Sequence, residues 1–363
     1  SKKDDKSENI DGEDKDNTPK IQALGGPSIL SNDEPRDLGT VYEESIFTNI
    51  ILYDDAEIDE NGITGNKIEK DTIIDLEDGK KVGLYIKWEL PDDKDEIKLQ
   101  DGDYAELKIP EIFKNVTEGG SFSAVIDGEK YEDVGNYSFE YGKLRVIFNG
   151  SNVSEIIRKS ERVGEIAFLL EFVEEKFEED ARQEVILEEI DKSFTITARP
   201  QGDKVAYIEK QGKAGSSINP TSFTWTIDIN TKLEELEGVT LEDIIPDGLE
   251  LTGINIYKLK VGYKEGENQI TKGEDITTHY AGKVEVIDDI ITINFGDIQE
   301  AYRIEYTTSI IGDYKEKYEN RAILKSESLD EDEENSFLFE GLEREKLIEK
   351  TGSADKNSKN SKY

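Results

Sequence analysis

Three residues in the C-terminal half of the chain could form a covalent cross-link. Lys210 begins a stretch that has Asp243 in its middle and Asn320 near its end. A neutral lysine amine can attack a side-chain amide if a buried carboxyl group polarises the amide and carries the proton. The product would be an isopeptide bond that joins the first strand of a domain to its last. The alternative is a surface lysine, a turn aspartate and a strand-end asparagine.

Two other residues compete for places in this set. Lys213 lies among glycines, which favours an exposed position. Asp228 alternates with Trp225 and Ile227 in a way that leaves its face of the strand undecided. Lys213 and Asp228 therefore remain alternatives to Lys210 and Asp243.

The composition excludes several classes of protein. The 363 residues contain no cysteine, so disulfides, thiol catalysis and thiolate metal sites are absent. The formal net charge of -39 makes nucleic acid a poor partner and favours basic or cation-bearing partners. No apolar run approaches the length of a transmembrane helix, so we predict no membrane insertion. The start of the chain shows no signal peptide and its end shows no sorting signal, which suggests a fragment of a longer protein.

Alternation of apolar and polar residues predicts an all-β protein. Short alternating runs bounded by Gly, Asp, Asn and Pro are typical of half-buried antiparallel strands, and several at regular spacing indicate a sandwich. The clearest runs are 82–90, 104–109, 143–148 and 194–198. Short helices are predicted at 152–158 and 233–237.

The charged ends and a Pro-Gly break divide the chain into five segments. The ends are too polar to bury enough apolar surface for a fold, and a new strand is expected to begin at residue 205, after the break at 199–203. The predicted segments are a disordered arm (1–38), a first sandwich (39–200), a second sandwich (201–334), a latch (335–345) and a linker (346–363).

No catalytic residue, cofactor or resident metal is predicted. The acidic run 55–62 resembles a calcium loop, but its glycine falls late and its twelfth position lacks glutamate, so a hairpin turn is favoured over calcium binding. His279 is the only histidine and lies in a polar stretch typical of an exposed loop, which argues against a Ser-His-Asp triad. With 84 acidic residues, no carboxylate pair stands out as that of a glycosidase.

The order of these motifs resembles the ligand-binding region of Gram-positive matrix adhesins of the collagen- and fibrinogen-binding type (MSCRAMM). The similarity extends over roughly residues 40 to 345. It is carried by the segments 102–110, 144–148 and 164–172 in the first half and 210–212, 224–230, 242–251 and 318–322 in the second. The run 146–153 departs from the fibrinogen-binding pattern, which favours the collagen-binding branch.

The resemblance implies a monomeric, cell-wall-anchored surface protein with two tandem immunoglobulin-like sandwiches and no enzymatic activity. A host matrix protein, with collagen as first choice and fibrinogen or fibronectin as alternatives, would lie in the groove between the sandwiches. The groove residues would be Pro200, Gln201, Gly202, Asp203 and Tyr207. The resemblance also assigns the isopeptide bond to Lys210 and Asn320, with Asp243 as proton shuttle. The alternative function is a cross-linked stalk or pilus-like subunit without a ligand groove.

The resemblance further implies a latch that crosses from the second sandwich to the first and adds a strand at an edge. The latch residues would be Ser336, Phe337, Leu338, Phe339 and Gly341. The alternative is that Phe337 and Phe339 belong to the core of a last strand.

Overall fold

The computed structural model describes residues 34–59, 62–74, 76, 81–91, 98–116, 119–126, 128–140, 142–157, 159, 162–188, 191–200 and 205–342. The described residues form strands and only short helices, so the predicted all-β sandwich fold is confirmed. The helices are α1 (Leu38–Tyr42), α2 (Val153–Ile157) and α3 (Thr277–Tyr280), with a 3₁₀ turn at Glu174–Lys176. None of these is long and apolar enough to cross a membrane. Most of the predicted arm, Gln201 to Asp203, and residues 343–363 lie outside the described residues.

The first sandwich contains two sheets. Its strands are β1 (Phe47–Asp59), β2 (Gly62–Ile68), β3 (Asp71–Ile74), β4 (Lys81–Leu90), β5 (Tyr104–Lys108), β6 (Phe113–Asn115), β7 (Gly119–Ile126), β8 (Glu129–Glu140), β9 (Lys143–Ile147), β10 (Arg162–Phe172), β11 (Arg182–Leu187) and β12 (Lys192–Ala198). The larger sheet has the order β2-β1-β4-β10-β7-β8-β9-β5, with β6 paired to β10. The smaller sheet has the order β11-β12-β3.

A cluster of aromatic rings lies at the centre of the first sandwich. The indole of Trp88 in β4 contacts Phe122 of β7 and Phe148 edge-on, with ring centroids 5.8 and 5.2 Å apart. On the neighbouring strand, a Cβ at Gly164 would lie 2.3 Å from the indole of Trp88. The residue beside Trp88 must therefore be a glycine for the indole to lie flat against β10.

The second sandwich packs two five-stranded antiparallel sheets face to face. Its strands are β13 (Ile208–Ala214), β14 (Ser222–Ile229), β15 (Leu236–Ile244), β16 (Leu249–Lys264), β17 (Glu267–Asp275), β18 (Val284–Ile287), β19 (Ile290–Ile298), β20 (Tyr302–Ile310), β21 (Lys317–Lys325) and β22 (Glu333–Glu340). One sheet has the order β13-β14-β20-β16-β17 and the other β18-β19-β15-β21-β22. The predicted alternation explains this packing: in β14, Phe223, Trp225 and Ile227 are fully buried.

Residues 335–340 belong to the second sandwich, so the predicted latch pairing with the first sandwich is wrong for them. β22 pairs with β21 in the register Asn320↔Phe337 and Tyr318↔Phe339. The ring of Phe339 lies 4.7 Å from that of Phe223 in the core. This arrangement is the alternative in which Phe337 and Phe339 are part of a last strand. It arises because an alternating apolar strand can pair with any free sheet edge, and the edge at β21 is the nearest along the chain.

Several local predictions can be compared with the strands. The helix predicted at 152–158 is α2, whereas the one predicted at 233–237 is wrong. There, the Asn230 side chain accepts a hydrogen bond from the Glu234 amide at 3.1 Å and Leu233 has a φ of 56°, so the chain turns instead of forming a helix. Of the acidic run 55–62, residues 55–59 lie in β1 and Gly62 begins β2, with Asp59 opposite Gly62. β13 begins three residues later than the strand predicted to start at residue 205.

If Phe339 belongs to the core of the second sandwich, Phe339→Ala should lower the free energy of unfolding by about 2–3 kcal/mol, because it removes a half-buried ring packed on Phe223 and Trp225. Denaturant-induced unfolding measures this change in the free energy of unfolding. Leu338→Ala is the matched control, since Leu338 is 43% exposed on the same strand and should cost less than about 1 kcal/mol. Equal effects of the two substitutions would contradict the assignment of β22 to this core.

Candidate functional sites

The three predicted cross-link residues converge in the core of the second sandwich. Lys210 lies on β13 in one sheet, whereas Asp243 on β15 and Asn320 on β21 lie in the opposite sheet. Their exposed fractions are 5%, 1% and 0%. The side chains therefore meet between the sheets, away from solvent, and Asn320 lies on the penultimate strand of the domain.

Tyr306 completes this cluster, which is defined by Lys210, Asp243, Tyr306 and Asn320 and is called the core cluster below. Lys210 Nζ donates to the carboxyl group of Asp243 and, at 3.4 Å, to Tyr306 Oη. Tyr306 Oη donates to Asp243 Oδ1 at 2.6 Å and accepts a hydrogen bond from the Asn320 amide. Sequence analysis missed Tyr306. The alternation of β20, in which Ile304 and Tyr306 point inward together, was the available signal.

Burial shifts the ionisable groups of the core cluster toward their neutral forms. Burial lowers the pKa of Lys210, although Asp243 offsets part of that shift. Burial likewise raises the pKa of Asp243, against the opposing effect of Lys210. The close amine–carboxyl contact is also compatible with an ion pair. Desolvation is the largest cause for both groups, so burial favours the neutral amine and the protonated carboxyl group more than water does.

The neutral forms give the core cluster its chemistry. An uncharged Lys210 amine has a free lone pair and is a nucleophile, and a protonated Asp243 can donate a hydrogen bond to an amide oxygen. Asn320 Oδ1 is buried and has no hydrogen-bond partner among the described residues. Burial also raises the pKa of Tyr306, so its hydroxyl stays protonated and donates to Asp243. The arrangement can therefore support attack of an amine on the Asn320 amide.

The two alternative residues do not join the core cluster. Lys213 is exposed on β13. Asp228 forms a bidentate ion pair with Arg303, with both distances 2.7 Å, on the face of the sheet turned away from the core.

A second feature, the interdomain cleft, depends on the length of β16. Ile256 in its first half lies in the core of the second sandwich, whereas Leu259, Val261 and Tyr263 belong to the hydrophobic cluster of the first. The backbone of residues 177–181 is fixed to this extension: Tyr263 N donates to Phe177 O and Ala181 N donates to Val261 O, each at 2.7 Å. The two sandwiches therefore share a hydrophobic cluster.

The interdomain cleft has a volume of about 780 Å³ and is lined by residues of both sandwiches. The lining residues are Glu178, Glu179, Asp180, Arg182, Leu233, Lys258, Leu259, Lys260, Val261, Gln269, Thr271, Gly273, Glu274 and Glu300. Arg182 connects the walls, because its guanidinium donates to the carbonyl groups of Leu233 and, at 2.9 Å, Gln299. Sequence analysis missed these residues, because contacts between domains leave no periodic pattern.

The residues predicted for the ligand groove do not line this cleft. Pro200 is buried. Tyr207 Oη donates to Glu234 at 2.5 Å, and Glu234 also pairs with Arg199 at 2.5 Å. Tyr207, through Glu234 and Arg199, thus connects the two sandwiches, while Gln201, Gly202 and Asp203 lie outside the described residues.

Within the described part of the chain, no group of three or more His, Cys, Asp or Glu side chains is placed to hold a metal ion. His279 is exposed on α3, with its ring 5.0 Å from that of Tyr280.

The described residues thus form two all-β sandwiches with a cleft between them and a buried Lys-Asp-Tyr-Asn cluster in the second. Residues 206–335 match the family model described as collagen binding domain, about a third of the chain and nearly all of the second sandwich. The second sandwich is therefore similar to the collagen binding domain family. No curated protein sequence matches the chain.

Three solved structures are similar to this chain over most of its length. The Enterococcus faecalis MSCRAMM ACE is 13% identical, with 81% of this chain and 96% of that chain covered and a TM-score of 0.28. The collagen binding domain of Erysipelothrix rhusiopathiae surface protein RspB is 15% identical, with coverage of 81% and 95% and a TM-score of 0.28. The Staphylococcus aureus collagen adhesin is 14% identical, with coverage of 85% and 99% and a TM-score of 0.26. TM-scores this low do not transfer a domain arrangement or a ligand to this chain.

Substitution of Gly262 tests whether the close approach of the backbone at residue 178 to β16 stabilises the interface between the sandwiches. A Cβ at Gly262 would lie 1.8 Å from the carbonyl oxygen of Glu178, so Gly262→Ala must push the first sandwich away from β16. We expect a loss of about 1–3 kcal/mol of stability and faster hydrogen exchange at the Ala181 and Tyr263 amides. Gly282→Ala is the control, because a Cβ there has no neighbour within 4 Å. Unchanged exchange in Gly262→Ala would contradict this account of the interface.

Proposed function

We propose that this chain is the ligand-binding part of a bacterial surface adhesin, and that it binds collagen in the interdomain cleft. The observation that carries the proposal is the match of residues 206–335 to the collagen binding domain model. The match supports collagen as the ligand of the second sandwich, and β16 and β17 of that sandwich form one wall of the cleft. Residues 178–182 of the first sandwich form the facing wall.

The lining of the cleft suits a collagen triple helix chemically. Collagen winds three polyproline-II chains around one another with glycine at every third position, so it presents backbone carbonyls and the side chains of the other two positions to a partner. Recognition of such a surface needs hydrogen-bond donors and acceptors along the binding cleft. Lys260, Gln269 and Thr271 supply donors, and Glu179 and Glu274 supply acceptors.

The fixed position of the two walls favours binding. The shared hydrophobic cluster and the backbone hydrogen bonds between residues 177–181 and β16 hold the cleft open before a ligand arrives. Preorganisation of this kind reduces the entropy lost on association. Binding in the interdomain cleft then does not require β22 to cross to the first sandwich. β22 is already paired with β21 in the second sandwich.

We also propose that the core cluster forms an isopeptide bond. The Lys210 amine attacks the amide carbon of Asn320, so the Nζ–Cγ bond forms and the Cγ–Nδ2 bond breaks. Asp243 first donates to the amide oxygen, then takes the proton that leaves Nζ and delivers it to the departing nitrogen, which is released as ammonia. Tyr306 holds the carboxyl group of Asp243 in place through its 2.6 Å hydrogen bond.

A cross-linked stalk or pilus-like subunit is the second candidate function, and the core cluster is the observation that favours it. A bond between β13 and β21 would strengthen the domain whether or not a ligand binds. Ligand binding separates the two functions.

The isopeptide bond predicts a mass for the intact chain that is one ammonia below the sequence mass. Asp243→Ala should restore the full mass, because the amide is no longer polarised. Asp228→Ala is the matched control and should keep the loss of ammonia, since Asp228 pairs with Arg303 outside the core cluster. The bond closes the loop from residue 210 to residue 320 and should stabilise the domain by about 4–5 kcal/mol, by analogy with a disulfide across a long loop. A full mass for the wild-type chain would refute the proposal.

Collagen binding is tested by a solid-phase panel of collagen, fibrinogen and fibronectin. We expect saturable binding to collagen in the micromolar range or tighter. Thr271→Trp should weaken collagen binding by about tenfold or more, because the indole fills the interdomain cleft. Thr292→Trp is the control, as Thr292 lies on β19 in the opposite sheet. If the wild-type chain binds none of the three proteins, the stalk function is favoured over the adhesin. Binding to fibrinogen or fibronectin alone would show that collagen is not the ligand.

A further inference from the structure

Acidic side chains outnumber basic ones in the interdomain cleft, so its negative charge is only partly neutralised. Its lining has five carboxylates and three basic side chains. Two of the basic groups are engaged: Lys258 pairs with Glu300 at 3.1 Å, and Arg182 donates to the carbonyl groups of Leu233 and Gln299. Lys260 is the third and lies exposed on β16.

Three carboxylates in the cleft have no basic partner among the described residues. Glu178 pairs with Lys264 at 3.1 Å, but Glu179, Asp180 and Glu274 form no ion pair within this part of the chain. All three are exposed. They come from both walls, since residues 179 and 180 belong to the first sandwich and residue 274 to β17 of the second. The cleft therefore carries an excess of accessible negative charge on both sides.

The backbone segment that carries the carboxylates of the first sandwich is anchored to β16. Residues 178–180 lie between the two anchor points at which Phe177 and Ala181 hydrogen-bond to β16. Gly262 allows the Glu178 carbonyl to approach β16 so closely that no side chain would fit between them. Glu179 and Asp180 are thus presented from a short, doubly anchored segment, and their charge is available to a ligand at little entropic cost.

We propose that this cleft selects collagen segments that carry arginine or lysine, a deepening that rests on the proposed collagen binding. The triple helix has no hydrophobic face of its own, and its non-glycine side chains point outward. A guanidinium or ammonium group of such a segment would pair with Glu179 or Asp180 on one wall and with Glu274 on the other. Electrostatic complementarity of this kind sets specificity more than overall affinity.

The test compares triple-helical peptides of equal length that contain a central basic, neutral or acidic guest triplet between Gly-Pro-Hyp repeats. Binding is measured by calorimetry at a temperature at which circular dichroism shows all three peptides to be folded. The wild-type chain should bind the basic peptide roughly five- to tenfold more tightly than the neutral one, and the acidic peptide least. This preference should shrink between 50 mM and 500 mM NaCl, because salt screens exposed charges.

A double variant locates the preference in the cleft. Glu179→Gln combined with Glu274→Gln should bind the basic and neutral peptides about equally, because glutamine keeps an acceptor oxygen at each position but removes the charge. Glu285→Gln combined with Glu319→Gln removes the same charge from exposed positions on β18 and β21, outside the cleft, and should keep the wild-type preference.

The outcomes separate this inference from the proposed function. If collagen binds and the three peptides bind alike, charge selection is refuted and collagen binding stands. A preference for the basic peptide that survives the cleft double variant places the selection elsewhere and also refutes the inference. Absence of binding to collagen and to all three peptides overturns both.

Discussion

The structure depends on one strand that serves two cores. The first half of β16 contributes Ile256 to the second sandwich, and its second half contributes Leu259, Val261 and Tyr263 to the first. Because Leu259, Val261 and Tyr263 pack with side chains of the first sandwich, their removal from water requires that sandwich to be folded and docked, which couples the two domains. The cleft follows from this constraint, because its walls are residues 178–182 and the β16–β17 hairpin, held at a fixed separation by that strand.

In the core cluster, burial changes the protonation equilibria of Lys210 and Asp243. Taking a lysine and an aspartate out of water is costly unless they form an ion pair or lose their charge, and burial shifts this pair toward the neutral forms. Burial lowers the pKa of Lys210 and raises that of Asp243, and the same shifts that limit the desolvation cost favour an uncharged amine and a protonated carboxyl group. A site of this kind must lie between the sheets, where Tyr306 and Asn320 satisfy the carboxyl group without admitting solvent.

Sequence alternation predicted the strands well, because one buried face imposes a period of two, as in β14 and β9. The order of Lys210, Asp243 and Asn320, together with the family resemblance, indicated which residues meet. Strand register cannot be read from order alone, so Tyr306 was missed. The last strand was misassigned because Phe337 and Phe339 fit any free sheet edge. The cleft residues were missed because they become neighbours only when the two domains dock.

Hydrogen exchange of the wild-type chain with and without a triple-helical collagen peptide tests the central claim, that the ligand lies between the sandwiches. The account predicts slower exchange in the presence of the peptide at amides of residues 178–182 and at those of β17, on both walls of the cleft. Protection confined to one sandwich, or to strands remote from the cleft such as β18 and β19, would contradict it.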